Sequence, residues 1–368
     1  MNKIPISRPN LGKLEKSNSF DAINSSWISS SGSYVKKFEN QFSKFNGTKF
    51  SISVSNGSVA LILALKALKI SRGDEVIVPD LTFVASINSI IHAGATPVIA
   101  NVNLSNWTLD EKDIEKKISS KTKAIIIVHL YGSVANIKKI QKIAKKKKIK
   151  IIEDSAEAHG AKYRDKNVGN FSDISCFSFF ANKIFSTGEG GICATNNKKL
   201  YDRLMLLRNQ GLSQKIKYFP IDVGFNFRMT NIQAAIGCAQ ISRHKEILRD
   251  RERIKKNYDK FLFQIKDKII LQKPFQNSHD VNWIYTIIIK NIDIIKLQKY
   301  LDIKKIETRP IFFPLSKNKI FKKYYKKQIK PSQNSSFIHK FGISLPTFFG
   351  LKKKQIKYIC DQIINFTK

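Results

Sequence analysis

The chain has 368 residues and a mass of 42.0 kDa, which excludes a small module held together by disulfides or a metal and predicts two lobes. A hydrophobic content of 42% with 11% aromatic residues excludes a disordered chain. The sequence contains no run of about 18 to 20 uncharged apolar residues, so it predicts no membrane span. The 65 basic residues outnumber the 28 acidic ones, giving a net charge of +37. Because lysines dominate and are dispersed over predicted helix surfaces, this charge favours a solvated surface over a nucleic-acid site.

Strand-like and helix-like segments alternate between residues 51 and 200, which is typical of a parallel sheet covered by helices. The predicted strands are 50–54, 75–78, 97–102, 123–130, 150–153, 174–179 and 191–195. The predicted helices are 58–69, 84–93, 110–118, 137–148, 200–209 and 231–243. Residues 1–244 are therefore predicted to form an N-terminal arm and a large α/β lobe with a mostly parallel sheet.

The pattern changes near residue 245. A long charged helix is predicted over 245–263, a strand over 283–289, a helix over 293–301 and a final helix after 352. The polar, lysine-rich stretch 315–336 is predicted to be a mobile loop. Residues 245–368 are thus expected to form a smaller α+β lobe.

The four cysteines, Cys176, Cys193, Cys238 and Cys360, are far apart and lack the spacing of a zinc site. We expect buried free thiols and no metal. The first 13 residues show neither an apolar segment nor a cleavage site of a secretory signal, so a cytoplasmic location is expected.

The segment Ser55-Asn56-Gly57-Ser58 joins a predicted strand to a predicted helix. Glycine allows the backbone to approach a ligand closely, and the free amides at a helix start can bind phosphate. A plain helix-capping turn has the same sequence pattern, so both interpretations remain open.

A second segment, Glu153-Asp154-Ser155-Ala156-Glu157-Ala158-His159-Gly160, begins where an apolar strand ends. Ligands of parallel sheets bind at the carboxyl ends of strands, so Asp154 is expected to face a site. There its charge can keep a proton on a cationic partner such as a pyridinium nitrogen. Capping of a following helix is the alternative.

Lys183 lies between an aromatic strand and the glycine-rich turn Ser186-Thr187-Gly188-Glu189-Gly190-Gly191. Few charged residues surround it, and desolvation would lower its pKa and make it a usable nucleophile for a carbonyl. A lysine taken in isolation would be expected to be a solvated surface side chain.

Taken together, six ordered motifs resemble those of the DegT/DnrJ/EryC1/StrS sugar aminotransferases, which have the aspartate-aminotransferase fold (fold type I) of enzymes that use pyridoxal phosphate. In one-letter code the motifs are SNGS, PDLTFVAS, EDSAEAHG, SFFANK, STGEGG and FNFRMTN. The resemblance covers almost the whole chain. This sequence differs from the family pattern at Ala181 and Ile184, where glycine and threonine are usual.

The resemblance implies a role for each matching residue. Lys183 would form a Schiff base with pyridoxal phosphate and later move a proton, and Asp154 would pair with the pyridine nitrogen. Further cofactor contacts are implied for Glu157 at the phenolic oxygen, Phe83 on the ring face, and Gly57, Ser58 and Ser178 at the phosphate. Asn226 would reach the phosphate of a neighbouring subunit, which implies a homodimer with shared active sites.

The resemblance also implies a nucleotide sugar as substrate and L-glutamate as amino donor. The segment 306–314 is most similar to that of members acting on GDP-4-keto-6-deoxymannose, so Arg309 is expected to bind the diphosphate, unless it forms a structural salt bridge. His159 is an expected substrate contact, although a packing role is an equal alternative. A UDP- or dTDP-linked keto sugar is the alternative substrate, and a non-catalytic polyanion-binding protein is a distant alternative function.

Overall fold

The computed structural model describes residues 3–213, 215–325 and 331–368. Twelve α-helices occur in these ranges. They are α1 (Lys13–Asn24), α2 (Ser33–Asn46), α3 (Gly57–Ala67), α4 (Ala85–His92), α5 (Glu111–Lys117), α6 (Ile137–Lys147), α7 (Lys198–Arg208), α8 (Asn231–Ser242), α9 (His244–Leu262), α10 (Ile294–Ile303), α11 (Gln333–Phe341) and α12 (Lys353–Thr367). None of these described helices combines the length and the apolarity that crossing a membrane requires.

Fourteen strands occur in the same described ranges, and they form three sheets. They are β1 (Phe50–Val54), β2 (Glu75–Pro79), β3 (Thr96–Ala100), β4 (Thr122–Val128), β5 (Lys150–Asp154), β6 (Lys162–Tyr163), β7 (Lys166–Asn167), β8 (Ile174–Ser178), β9 (Gly191–Thr195), β10 (Ile269–Leu271), β11 (Ser278–His279), β12 (Tyr285–Ile289), β13 (Arg309–Pro310) and β14 (Gly342–Leu345).

The central sheet has seven strands in the order β1-β9-β8-β5-β4-β2-β3. The five strands from β8 to β3 run parallel, whereas β9 is antiparallel to both β1 and β8. Strands β2 and β4 are nearly continuous runs of aliphatic residues, as expected for strands with both faces buried. The prediction of an α/β fold with a mostly parallel sheet is confirmed.

Three helices, α1, α2 and α11, are absent from the elements predicted above. Helix α2 buries Phe38 and Phe42 completely against the central sheet, where both contact Phe179 edge-on. Tyr34, Val35, Phe38 and Phe42 recur at helical spacing between polar residues, so the sequence itself contains the amphipathic pattern of this helix. Packing of its apolar face against the sheet supplies much of the stability of the helix.

Residues 269–345 contain a second, antiparallel sheet in the order β10-β12-β14-β13. A separate core holds it to α9, α10 and α12 and includes Tyr258, Ile287 and Ile363. The assignment of 1–244 and 245–368 to two domains stays a prediction. Within the predicted loop 315–336, the described part forms two short 3-10 helices, Leu315–Lys317 and Lys319–Tyr324, and the start of α11, while residues 326–330 lie outside the described residues.

Candidate active site

The carboxyl ends of β1, β2, β4, β5 and β8 meet at one edge of the central sheet, around a cavity of about 560 Å³. Eight of the ten predicted site residues line it: Gly57, Ser58, Phe83, Asp154, Glu157, Ser178, Lys183 and Arg309. A wider surface groove of about 910 Å³ runs along α6 and carries four lysines of that helix. Convergent acidic and basic side chains, and not size, therefore identify the candidate site.

Asp154 is the last residue of β5 and lies buried against the cavity. Its Oδ2 accepts a hydrogen bond of 2.8 Å from the Ser86 hydroxyl, and its Oδ1 accepts one of 3.2 Å from the amide of Ala156. In the described chain, β5 is followed by turns and then β6 and not by a helix, so helix capping is excluded as the role of Asp154. Burial raises the pKa of this carboxyl, against the opposing effect of the Ser86 and Ala156 hydrogen bonds and the charge of Lys183. A cationic ligand would satisfy such a group.

Lys183 lies in the connection between β8 and β9, and its side chain is only 12% exposed. Its Nζ is 3.5 Å from Glu157 Oε1, while Glu157 Oε2 accepts a 2.7 Å hydrogen bond from the amide of Tyr131. Burial lowers the pKa of the Lys183 amine, although the negative charges of Glu157 and Asp154 act in the opposite direction. Burial likewise raises the pKa of Glu157. The amine therefore loses its proton more readily than that of a surface lysine.

The start of α3 faces the end of β8 across the cavity. Asn56 Oδ1 caps the helix by accepting a 3.0 Å hydrogen bond from the amide of Val59, so capping and ligand binding are compatible here. The first amides of a helix, those of Gly57 and Ser58, have no acceptor within the helix. A Cβ added at Gly57 would lie 2.7 Å from the Cβ of Ser178. Glycine thus allows these amides and the Ser178 hydroxyl to converge, as an anion site requires.

Phe83 and Arg309 lie at the cavity mouth. The Phe83 side chain is 53% exposed and contacts the ring of Phe312 at a centroid distance of 5.8 Å, so it is not a core residue. Arg309 lies on the exposed strand β13, and no salt bridge within the described part of the chain involves it. Its guanidinium is available for an anionic ligand.

The structure does not bring His159 to the cavity wall. Its ring is fully buried among Phe177, Phe179 and Phe185, at centroid distances of 5.4, 5.0 and 5.5 Å. Neither ring nitrogen has a hydrogen-bond partner within the described residues, and burial lowers the pKa of His159 to about 3. We therefore assign His159 to the core and propose no substrate contact for it.

Asn226 also lies outside the cavity of its own chain. It is exposed, and its Oδ1 accepts a 2.9 Å hydrogen bond from Nε of Arg228. Its predicted role at the phosphate of a second subunit stays a prediction.

Several residues that line the cavity or contact its side chains are missing from the sequence prediction. Ser86 lies within the PDLTFVAS motif, where its hydroxyl could have been considered as a partner of Asp154. Trp283 and Phe312 come from the connections before β12 and after β13 and line the cavity from the second sheet. Only the folded chain brings them to Lys183, so no local pattern predicts them. No cluster of three or more possible metal-binding His, Cys, Asp or Glu side chains occurs within residues 3–213, 215–325 and 331–368.

Comparison with known proteins places these residues in a family context. The model of the DegT/DnrJ/EryC1/StrS aminotransferase family matches residues 9–364. GDP-perosamine synthase of Escherichia coli O157:H7 is 41% identical over 367 residues, covering 100% of this chain and 99% of the relative. The dTDP-3-amino-3,6-dideoxy-alpha-D-galactopyranose transaminase of Aneurinibacillus thermoaerophilus is 35% identical over 337 residues, covering 91% of this chain and 90% of the relative. The pyridoxal phosphate form of the Streptococcus pneumoniae protein Spr1654 superimposes with a TM-score of 0.93 at 26% identity, covering 99% of this chain and 98% of the other.

Proposed function

The chain belongs to the DegT/DnrJ/EryC1/StrS aminotransferase family, and we propose that it transfers an amino group to a nucleotide-linked 4-keto-6-deoxy sugar with pyridoxal phosphate as cofactor. The most specific form of the proposal is the conversion of GDP-4-keto-6-deoxymannose to GDP-perosamine with L-glutamate as donor. The observation that carries it is the buried Lys183 amine beside Glu157 and Asp154, in a cavity that also contains a helix N-terminus. The cytoplasm remains the predicted location.

The residues of the cavity fit pyridoxal phosphate. Asp154 offers a buried carboxylate for a protonated ring nitrogen, and the raised pKa of that carboxyl reflects burial that a cation would compensate. The amides of Gly57 and Ser58 and the hydroxyl of Ser178 would hold the phosphate. Phe83 would cover a ring face, and Glu157 would lie near the phenolic oxygen.

When bound, pyridoxal phosphate supplies an aldehyde that carries the amino group and a ring that withdraws electrons. Lys183 Nζ would then remove a proton from one carbon and return it to another as general base and general acid. Burial lowers the pKa of the Lys183 amine, which favours the neutral form that removes a proton. Asp154 would keep the ring nitrogen protonated through its charge.

The choice of sugar nucleotide is supported by the relatives and by Arg309. The Escherichia coli relative is a GDP-perosamine synthase, and Arg309 at the cavity mouth offers a planar, permanently charged group for a diphosphate. The Aneurinibacillus relative is a dTDP-sugar transaminase at 35% identity. It favours a dTDP-linked keto sugar as the second candidate substrate.

We also propose that the active enzyme is a homodimer in which Asn226 completes the partner's phosphate site. Asn226 is exposed and outside the cavity of its own chain. Large apolar side chains are also exposed on residues 11–28 and 216–223, including Phe20 at 65% and Val223 at 86%. Exposed apolar surface of this extent favours a protein–protein contact.

Mixing two inactive variants tests the shared site. Lys183→Ala and Asn226→Leu would each inactivate both sites of their own dimers. After subunit exchange, a mixed dimer would contain one intact site, formed by Lys183 of one subunit and Asn226 of the other. An equal mixture should recover about 25% of the wild-type activity, because half of the dimers are mixed and one of their two sites works. Absence of recovery in confirmed mixed dimers would contradict the shared site.

The visible absorption spectrum tests the cofactor and the donor. Purified protein with pyridoxal phosphate should show a yellow band that L-glutamate removes and GDP-4-keto-6-deoxymannose restores, whereas the Lys183→Ala variant should lack the band. UDP- and dTDP-linked keto sugars in the same assay compare the alternative substrates. A protein that stays colourless contradicts the aminotransferase proposal. Salt-sensitive polyanion binding that is independent of Lys183 would then favour the distant alternative.

A further inference from the structure

The indole ring of Trp283 lies directly against the amine of Lys183. Lys183 Nζ is 3.8 Å from the centroid of this ring, and Trp283 is only 4% exposed. At this distance the electron-rich face of tryptophan attracts a cation, most strongly where water is excluded. We propose that Trp283 is a positioning residue that stabilises the protonated form of Lys183 Nζ and fixes its direction in the cavity.

Both ends of Trp283 are held in place. Its indole N–H donates a 2.7 Å hydrogen bond to the carbonyl of Asn182, the residue before Lys183. Its own carbonyl accepts a 2.8 Å hydrogen bond from the buried guanidinium of Arg251. On one side the ring lies almost parallel to the ring of Tyr131, with 13° between the planes and 5.9 Å between the centroids. The indole therefore cannot turn away from Lys183 without breaking its hydrogen bond to the Asn182 carbonyl.

The remaining groups that act on Lys183 are charged or titratable. Glu157 and Asp154 favour the protonated amine, Arg309 opposes it, and the buried, neutral His159 is close enough to be affected by its charge. Glu157 can itself take up a proton, because burial raises its pKa. The indole of Trp283 neither gains nor loses a proton near neutral pH, so its ring favours the lysine cation without competing for the proton. The attraction between the indole ring and the Lys183 cation should therefore not change with pH near neutrality.

This inference rests on the proposed function for the catalytic use of the amine, but its test does not. The full-length chain is freed of cofactor with hydroxylamine and labelled with acetic anhydride at a series of pH values. Mass spectrometry of the peptide that contains Lys183 then gives the pKa of its amine. This readout does not depend on the choice of nucleotide sugar or on turnover.

Two kinds of change remove or weaken the attraction between the Trp283 ring and the Lys183 cation. Trp283→Leu removes the aromatic face and should lower the pKa of Lys183 by about one unit, equivalent to about 1.4 kcal/mol. Replacement of the three tryptophans by 5,7-difluorotryptophan keeps the shape and the N–H but weakens the negative face, and it should lower the pKa by a smaller amount. Trp107→Phe is the control, because Trp107 is buried like Trp283 but does not line the cavity.

The outcomes separate positioning from packing. A lower Lys183 pKa in the fluorinated protein and in Trp283→Leu, with no change in Trp107→Phe, supports the proposal. An unchanged pKa in the fluorinated protein overturns it, even if Trp283→Leu does not fold. If the pKa responds as expected but the protein lacks aminotransferase activity, the proposed function fails while the role of Trp283 stands.

Discussion

Replacing Gly57 with alanine should disturb the phosphate site through one well-defined contact. Gly57 is the first residue of α3, and a Cβ at this position would lie 2.7 Å from the Cβ and 3.1 Å from the Oγ of Ser178. Ordinary contacts between such atoms begin near 3.4 Å. The start of α3 and the end of β8 must therefore separate by several tenths of an ångström.

Two opposing effects decide the result of this substitution. Alanine is a better helix former than glycine by about 0.5–1 kcal/mol, and the backbone of Gly57 does not have the positive φ that would disfavour it. Overpacking costs about 1–3 kcal/mol and should dominate. Because the displaced groups are those proposed to bind the phosphate, pyridoxal phosphate should bind about tenfold more weakly, equivalent to about 1.4 kcal/mol.

Fluorescence titration of the Gly57→Ala variant with pyridoxal phosphate measures the change in affinity. The matched background is Ser178→Gly, which removes the Cβ that the new methyl group would meet. In that background Gly57→Ala should cost little further affinity, giving a coupling energy of about 1 kcal/mol in the double-mutant cycle. Wild-type affinity in the Gly57→Ala variant, or equal losses in both backgrounds, would refute this reasoning.

Three other substitutions test further parts of the structure. Asp154→Asn should retain bound cofactor but lower kcat about 10²–10³-fold, since it removes a preorganised charge; near wild-type turnover would contradict the role of Asp154. His159→Phe should reduce the loss of stability in acid. The pKa of His159 is about 3 in the folded chain, so between about pH 6.5 and pH 3 only the unfolded chain takes up this proton, which costs up to about 1.4 kcal/mol per pH unit. Calorimetry between about pH 6 and pH 4 should show a shallower fall in Tm for the variant, and an unchanged slope would count against a neutral buried His159. Lys148→Gly should raise the free energy of unfolding by about 1 kcal/mol, because Lys148, the residue after α6, has the left-handed backbone conformation with a φ of 55°. Urea denaturation measures this, with Lys145→Gly inside the same helix expected to destabilise by about the same amount.

The sequence alone predicted most of the central sheet. Strands such as β4 and β5 are short, apolar runs between amphipathic helices, and burial on both faces of a sheet leaves little freedom in their composition. The candidate position of Asp154 followed from the end of β5, and that of Lys183 from its place between an aromatic strand and a glycine-rich turn. The role of Ser178 followed from the resemblance to the family. These features are local, so a single stretch of sequence contains the information.

Tertiary structure decided the remaining features, because they depend on residues far apart in the chain. Trp283 and Phe312 reach the cavity from the second sheet, and no spacing in the sequence indicates that Trp283 would meet Lys183. His159 lies in a motif beside Asp154 and Glu157, yet the turn after β5 directs its ring into a cluster of phenylalanines. The sequence determined which residue types meet the strand ends, whereas long-range packing determined which side chains face the cavity, how deeply they are buried and hence their pKa values.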